Sequence, residues 1–353
     1  ALDDAMAELL PAETDEAIWA YFATAGVPDE ARVGQILAAL ADGPLSLLAL
    51  ETATSIRRGR LEGLLKILAV EDVVRREGSA WALTGQPWHF DTRRWADLAR
   101  VRAQEADLMR RFARGAGCLM RFLQTALDDP APQDCGRCSA CSGWLPHPGL
   151  HPGSAATEAA RVFARGREQI IEPRKLWPSG LSAKAYKGRI TGCGEGRALA
   201  FADDPGWGEL LRPRFAGPDQ DAPPEVLDGV VALLARWRRT WAQRPVAVVP
   251  MPSREHERLI ASVVAHVARV GRLPVLDVLS LGGPPPAPDA ASGARVAALL
   301  HSLQVRADVP LPAGPLLLVD ARYRSGWTAT VAAARLREAG AAAVLPLVLQ
   351  QLP

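Results

Sequence analysis

Four of the chain's five cysteines fall within 24 residues, spaced Cys118-x16-Cys135-x2-Cys138-x2-Cys141. A Cys-x2-Cys step lets two thiolates turn onto one ion, and a further thiolate brought in from a helix closes a tetrahedral Zn²⁺ site. Cys118, Cys135, Cys138 and Cys141 are therefore the expected ligands of a structural zinc, with a helix-like segment, LMRFLQTALDDP, after the first of them. Disulfides or clustered buried thiols are the alternatives, and His147 or His151 could replace one cysteine, since imidazole is also a common zinc ligand. Four protein ligands leave no open position, so such a site folds the chain and catalyses nothing. Cys193 stands apart in a Gly-rich turn with no His near it in sequence, and reads as a spectator thiol rather than a nucleophile.

A second group has the pattern of a phosphate cradle. In LLLVDARYRSGWT an apolar strand ends in Asp320, a turn runs on through Ala321 to Ser325, and a helix opens at Gly326, Trp327 and Thr328. A turn into a helix N-terminus offers backbone N–H groups to an anion. VVPMPSREHER places Ser253 and Arg254 in a similar position after an earlier strand. From Pro223 onward, near-continuous apolar strands (PVAVVPMP, LPVLDVL, GPLLLVDAR, AAVLPLVLQQL) alternate with helices, which predicts a parallel sheet covered on both faces. Ligands of such sheets sit at the carboxyl ends of the strands, where both loops fall. The bland reading of Asp320 is a turn carboxylate with no ligand.

Upstream, residues 30–85 read as three helices and a hairpin. ARVGQILAALAD carries Val33, Ile36, Leu37 and Leu40 at helical spacing, LSLLALETAT makes a short second helix, and Ser55 is the expected cap of a third. VVRREGSAWALTG then alternates around Gly78-Ser79. This order predicts a winged helix, with Arg57, Arg58 and Arg60 at the start of its recognition helix and Arg75 and Arg76 entering the wing. The same arginines could equally lie on a solvated face of a protein-contact module. A long Arg-bearing helix is expected from Trp88 to Arg114, ended by Gly115 and Gly117, so that Cys118 opens a return helix and the cysteines cap a helical hairpin.

The composition sets limits. With 353 residues, 48% of them hydrophobic, the chain can fill two or three cores, and a net charge of +2 gives no global sign of a nucleic-acid partner. No apolar run is long enough to span a membrane, and a reduced thiol cluster fits a cytoplasmic protein. No G-x-x-x-x-G-K-[ST] loop occurs, so the chain is not a self-sufficient P-loop motor.

The x16 gap followed by CGRCSAC, with Cys118 on an Arg-bearing helix (Arg110, Arg111, Arg121), resembles the zinc module of RecQ-family DNA helicases over about 95–145. Residues 1–22 resemble the segment after the last helicase motif in those motors, and the flanking domains are more similar to the RqlH-type subgroup. The loop at 320–328 resembles the phosphoribosyl-pyrophosphate loop of type I phosphoribosyltransferases, and the Ser253–Arg254 loop resembles the ComF-like branch. That resemblance implies that Asp320 faces the ribose hydroxyls, that Ser325, Gly326, Trp327 and Thr328 hold a 5′-phosphate, and that Ser253 and Arg254 lie near pyrophosphate. The family carries two adjacent acids where this chain has Asp320 and Ala321, which weakens ribose and Mg²⁺ recognition.

Together these readings imply a multidomain α+β and α/β protein, the non-motor part of a longer 3′-to-5′ helicase. The end of a second motor domain would occupy 1–25, a winged helix 26–90 and the zinc-bound hairpin 91–145. A linker would come next at 146–160, then a basic segment with short strands at 161–222 and a phosphoribosyltransferase-like parallel-sheet domain at 223–353. Structural Zn²⁺ is the expected cofactor, with ATP and Mg²⁺ confined to the full-length helicase. DNA and the motor of the same polypeptide are the expected partners, no membrane is, and a nucleotide or phosphate is a candidate ligand of the last domain. A nucleotide-related phosphoribosyltransferase with a DNA-binding appendage and a zinc-containing winged-helix transcriptional regulator are the alternatives.

Overall fold

Apolar residues three and four apart, and the caps that flank them, place the helices of the first half. The computed structural model describes residues 8–352 apart from 13–14, 25, 146–148, 150–151, 179–180, 182–185, 203 and 288–289. The alternative ligands His147 and His151 thus lie outside the described residues. Helix α1 spans Asp15–Thr24 and α2 spans Glu30–Leu40, the latter capped by the Asp29 side chain and burying Val33, Ile36 and Leu40. Strand β1 (Leu45–Ser46) leads into α3 (Leu47–Thr54), whose first turn is capped by Ser46. Ser55, expected to cap the next helix, instead ends α3 in the left-handed region at φ 56°. Helix α4 (Arg58–Val70) buries Leu61, Leu64, Leu65 and Leu68.

Strands β2 (Val74–Glu77) and β3 (Ala80–Leu83) come next, and β3 lies between β1 and β2. The Gly78-Ser79 loop joining them has Gly78 at φ 61°, the conformation a two-residue hairpin loop asks of its first residue. Helix α5 runs over Thr92–Ala113 and starts on the Asp91 cap, later than the expected Trp88, whose indole N–H is drawn off to the Glu71 carboxylate at 3.0 Å. Helix α6 is Leu119–Ala126, α7 is Ser139–Ser142 and α8 is Ser154–Gly166. The Ala-rich run after Ser154 makes α8 a helix where a linker is expected, Ala being the best helix former.

The chain divides into two compact units. The first holds Ala1–Gly43, Gly63–Glu77 and Ala82–Ala156, the second Pro44–Glu62, Gly78–Trp81 and Thr157–Pro353, so the division passes through α4.

The second unit is built on a five-stranded sheet. Its further elements are β4 (Gln169–Ile171), β5 (Gly196–Phe201), α9 (Gly208–Ala216), α10 (Pro224–Trp237), β6 (Ala247–Pro250), α11 (Glu257–Gly271), β7 (Leu279–Leu281), α12 (Ser292–Ser302), β8 (Leu303–Val305), β9 (Pro315–Tyr323), α13 (Trp327–Glu338) and β10 (Ala343–Gln351), with a 3-10 turn at Arg238–Thr240. The strand order is β4-β5-β10-β9-β6, with β5, β10, β9 and β6 parallel and β4 antiparallel at one edge. The parallel sheet is therefore present, but mixed. β4 and β5 come from the stretch expected as a separate basic segment, and β7 and β8 form a small antiparallel pair of their own.

LPVLDVL does not add a full strand. Only Val275 bridges Val248, through the Val248 amide to the Pro274 carbonyl at 3.0 Å and the Leu276 amide to the Val248 carbonyl at 2.9 Å. Pro274 has no N–H to extend the ladder.

Alternation along β9 splits the core into two layers. Leu317, Val319 and Ala321 pack with α10 and α11 residues such as Val230, Leu233 and Val263, while Leu316 and Leu318 pack with Val296, Val331 and Leu336 of α12 and α13. After β6 the chain passes to Val275 on one side, and then returns to β9 on the other. The order reverses between β6 and β9, and that reversal opens a crevice at the carboxyl ends of the strands. Both candidate loops lead off these two strands. Among the described residues, no helix is long and apolar enough to cross a membrane.

Candidate metal centre and anion cavity

The cysteines meet as the spacing predicts. The Sγ atoms of Cys118, Cys135, Cys138 and Cys141 all lie within 4.8 Å of one another, with Cys118 to Cys135 at 3.6 Å and Cys118 to Cys138 at 3.9 Å. A tetrahedron with metal–sulfur bonds of about 2.3 Å has edges of about 3.8 Å, so the four positions fit a single ion. These separations also exclude a disulfide, which needs about 2.0 Å.

Backbone amides hold the sulfurs in place. Arg121 and Cys135 donate N–H to Cys118 Sγ at 3.4 and 3.3 Å, Leu119 to Cys138 Sγ at 3.3 Å, and Cys138 to Cys135 Sγ at 3.3 Å. The Arg121 and Cys135 amides hold the Cys118 thiol below its ordinary pKa. Burial opposes the same effect at Cys138, yet the Leu119 and Cys141 amides and neighbouring thiols bring it down to about 6. Metal ligands must be thiolates, so these shifts favour loading.

Cys118 is also the N-cap of α6. The hairpin arms meet through Phe112 and Phe122, with ring centroids 5.7 Å apart. The base of α5 is pinned elsewhere, by an Arg110–Glu16 ion pair at 2.8 Å and by Arg110 over the Trp19 ring.

The expected DNA-facing arginines are on the surface, apart from half-buried Arg60. Arg58 pairs with Glu62 at 3.1 Å and Arg75 with Glu77 at 2.8 Å, both exposed pairs of small net worth. Arg57 belongs to the second unit and lines a cavity there, at the carboxyl end of β9. Arg197, read from sequence as part of a basic stretch, is 3% exposed and is tied to Glu195 and Glu168 beneath the Trp237 ring.

That cavity has a volume of about 170 Å³ and is lined by Asp320, Ser325, Gly326 and Thr328. Sequence reasoning missed its third face, Arg295 of α12, which carries no local signal. The loop is shorter than expected. β9 continues past Asp320 because Arg322 and Tyr323 pair with Gln350 and Gln351 of β10, which leaves Arg324, Ser325 and Gly326 as the turn. Gly326 sits at φ 76° beneath the Tyr323 ring, where a Cβ would collide with the phenol oxygen. Arg174 fastens the turn from outside by donating to the Ser325 carbonyl at 2.7 Å.

The Asp320 carboxylate turns back onto its own backbone, accepting from the Ala321 amide at 2.7 Å. Burial raises its pKa to about 6 against the pull of the Ala321 and Arg322 amides. Trp327, expected beside the phosphate, is a core residue instead, 4% exposed and stacked on Trp177.

The Ser253–Arg254 loop does not reach the cavity. The Ser253 hydroxyl accepts the amides of Glu255 and His256, and Arg254 donates to the Gly282 and Gly283 carbonyls. The N-terminus of α11 is already capped by Asp219, which accepts the amides of Arg258 at 2.7 Å and Leu259 at 3.1 Å. Asp219→Ala is expected to lower stability by about 1 kcal/mol, the ordinary worth of an N-cap, as read by urea denaturation; an unchanged midpoint would assign the cap to solvent.

No protein-family model matches the chain, and no curated protein is significantly similar to it.

Proposed function

We propose that this chain is the DNA-gripping, non-motor part of a RecQ-like helicase of the RqlH type. The observation that carries the reading is the four-sulfur cluster at the tip of an Arg-bearing helical hairpin, preceded by a helix-strand-helix-helix-hairpin module. That module has the element order of a winged helix, and its arginines stand where phosphate contact needs them. The ion is zinc, since four closed thiolates select it over harder cations, and the thiols stay reduced in a cytoplasmic setting.

The strand-helix alternation, and the loops at the reversal between β6 and β9, support a phosphoribosyltransferase-like ancestry for the second unit. Transferase chemistry is not part of the proposal: Asp320 is spent on backbone amides and Ala321 is buried in the apolar layer. ATP and Mg²⁺ would act only in a motor outside this chain.

Fluorescence anisotropy with a 3′-tailed duplex tests the grip. Affinity is expected to fall steeply with salt, by a log–log slope of roughly −0.9 for each phosphate neutralised. Replacing Arg57, Arg58, Arg60, Arg75 and Arg76 with Ala should flatten that slope by several units. Equal binding and slope in the quintuple variant would remove the winged-helix grip, and strong preference for one duplex sequence would favour a transcriptional regulator.

A further inference from the structure

The cavity at the end of β9 carries more positive charge than recognition of a ribose diol through magnesium would need. Arg295, Arg322 and Arg324 all line it. Neither Arg322 nor Arg324 forms an ion pair among the described residues. Arg322 lies flat over the Phe215 ring at 4.1 Å, and burial, together with the neighbouring Arg324, lowers its pKa against the opposing pull of Glu255. One Nη of Arg295 donates to the Ala287 carbonyl at 2.9 Å, which fixes the side chain. Against these guanidinium groups stands one carboxylate in the cavity wall, Asp320, already hydrogen-bonded to its own backbone.

The neighbouring place for a second anion is filled by the chain itself. The α11 amides that a diphosphate would approach belong to Asp219, and Ser253 and Arg254 are committed to backbone groups. A ligand with two phosphate groups would therefore meet an intramolecular carboxylate.

We infer that the cavity is a receptor for one terminal phosphate, a phosphomonoester held by Arg322, Arg324 and Arg295 with the turn into α13, without a divalent cation and without a second phosphate. Guanidinium forks match the oxygens of a phosphate in pairs, and a phosphomonoester near neutral pH carries close to two charges. The Gly326 turn, pinned by Arg174 and Tyr323, presents the first α13 amides already ordered. A 5′-nucleotide and the 5′-phosphorylated end of a DNA strand share this chemistry. The inference rests on the cavity alone and stands apart from the DNA grip proposed above.

The test is calorimetry on the full chain with inorganic phosphate in EDTA, then ribose 5-phosphate, then phosphoribosyl pyrophosphate with Mg²⁺. Phosphate and ribose 5-phosphate are expected to bind in EDTA, and the pyrophosphate ester with Mg²⁺ no more tightly. Arg324→Ala should weaken phosphate about tenfold or more, the worth of a charge-assisted hydrogen bond. Its melting temperature without phosphate should be unchanged, because Arg324 is exposed and unpaired. Displacement of phosphate by a 5′-phosphorylated strand, but not by its 5′-hydroxyl twin, assigns the ligand to DNA ends; displacement by a nucleoside monophosphate alone assigns it to a nucleotide. No heat with phosphate up to roughly 10 mM, weaker than any useful affinity, would overturn the inference. So would pyrophosphate-ester binding that is Mg²⁺-dependent and more than about tenfold tighter than ribose 5-phosphate.

Discussion

Removing the metal is expected to unfold residues 118–143 and little else. Between Leu119 and Ser142 neither α6 nor α7 buries a single side chain, so this stretch has almost no apolar core of its own. Its order comes from the four sulfurs and the amides that point at them. Structural zinc supplies on the order of 10–16 kcal/mol to small thiolate sites, far more than an eight-residue helix obtains from its own hydrogen bonds.

Helix α5 should survive, since Arg110, Glu16 and Trp19 tie it to α1 without help from the metal. The second unit should not respond. Hydrogen exchange with and without chelator reads all of this at once: protection at 119–126 should vanish while protection on β9 and β10 holds. Cys138→Ser should reproduce the chelated state. Unaltered protection of α6 after verified metal loss would mean that the cysteines pack as ordinary thiols.

The second large effect concerns a single missing acid. Ala321 is 2% exposed in the layer formed by Leu317, Val319, Val248 and Val263, with only apolar side chains in that cluster. Ala321→Asp would place an unpaired carboxylate there, at a cost of about 3–5 kcal/mol. For a unit of this size that corresponds to a melting temperature lower by roughly 10 °C. Acidification should recover part of the loss, because protonating the carboxyl removes the buried charge. Ala321→Ser, similar in size and uncharged, is the control and should cost far less. Should Ala321→Asp instead melt like the parent and acquire Mg²⁺-dependent binding of phosphoribosyl pyrophosphate, the cavity would be a disabled transferase site awaiting its second acid.

These outcomes track what could be read from residues alone. The metal centre was legible because ligand spacing is a local property, and a Cys-x2-Cys step constrains its own geometry. Helices α2 and α4 were legible for the same reason, their apolar residues recurring every three or four positions. The turn after β9 was not. Arg322 and Tyr323 are strand residues only because Gln350 and Gln351 lie alongside, and nothing within the loop encodes that pairing. Arg197 looked like surface charge, yet the apolar strand around it buries its guanidinium against Trp237 and two glutamates. Asp219 is invisible as a cap in sequence, since the helix it serves begins at Glu257.

The register of β10 has a consequence for how the second unit is made. Ala198 of β5 pairs with Val348, and β9 pairs with the same strand on its other side. Until β10 has been synthesised, β5 and β9 have no common neighbour, and the antiparallel β4 has only β5 to lean on. Pairing across so long a stretch of chain is slow, and the unclosed sheet exposes hydrogen-bonding edges while it waits. Assembly of this unit is therefore a late event, in which one strand arrives between two already made, and a nascent chain stalled before residue 343 would be a substrate for chaperones rather than a partly working protein.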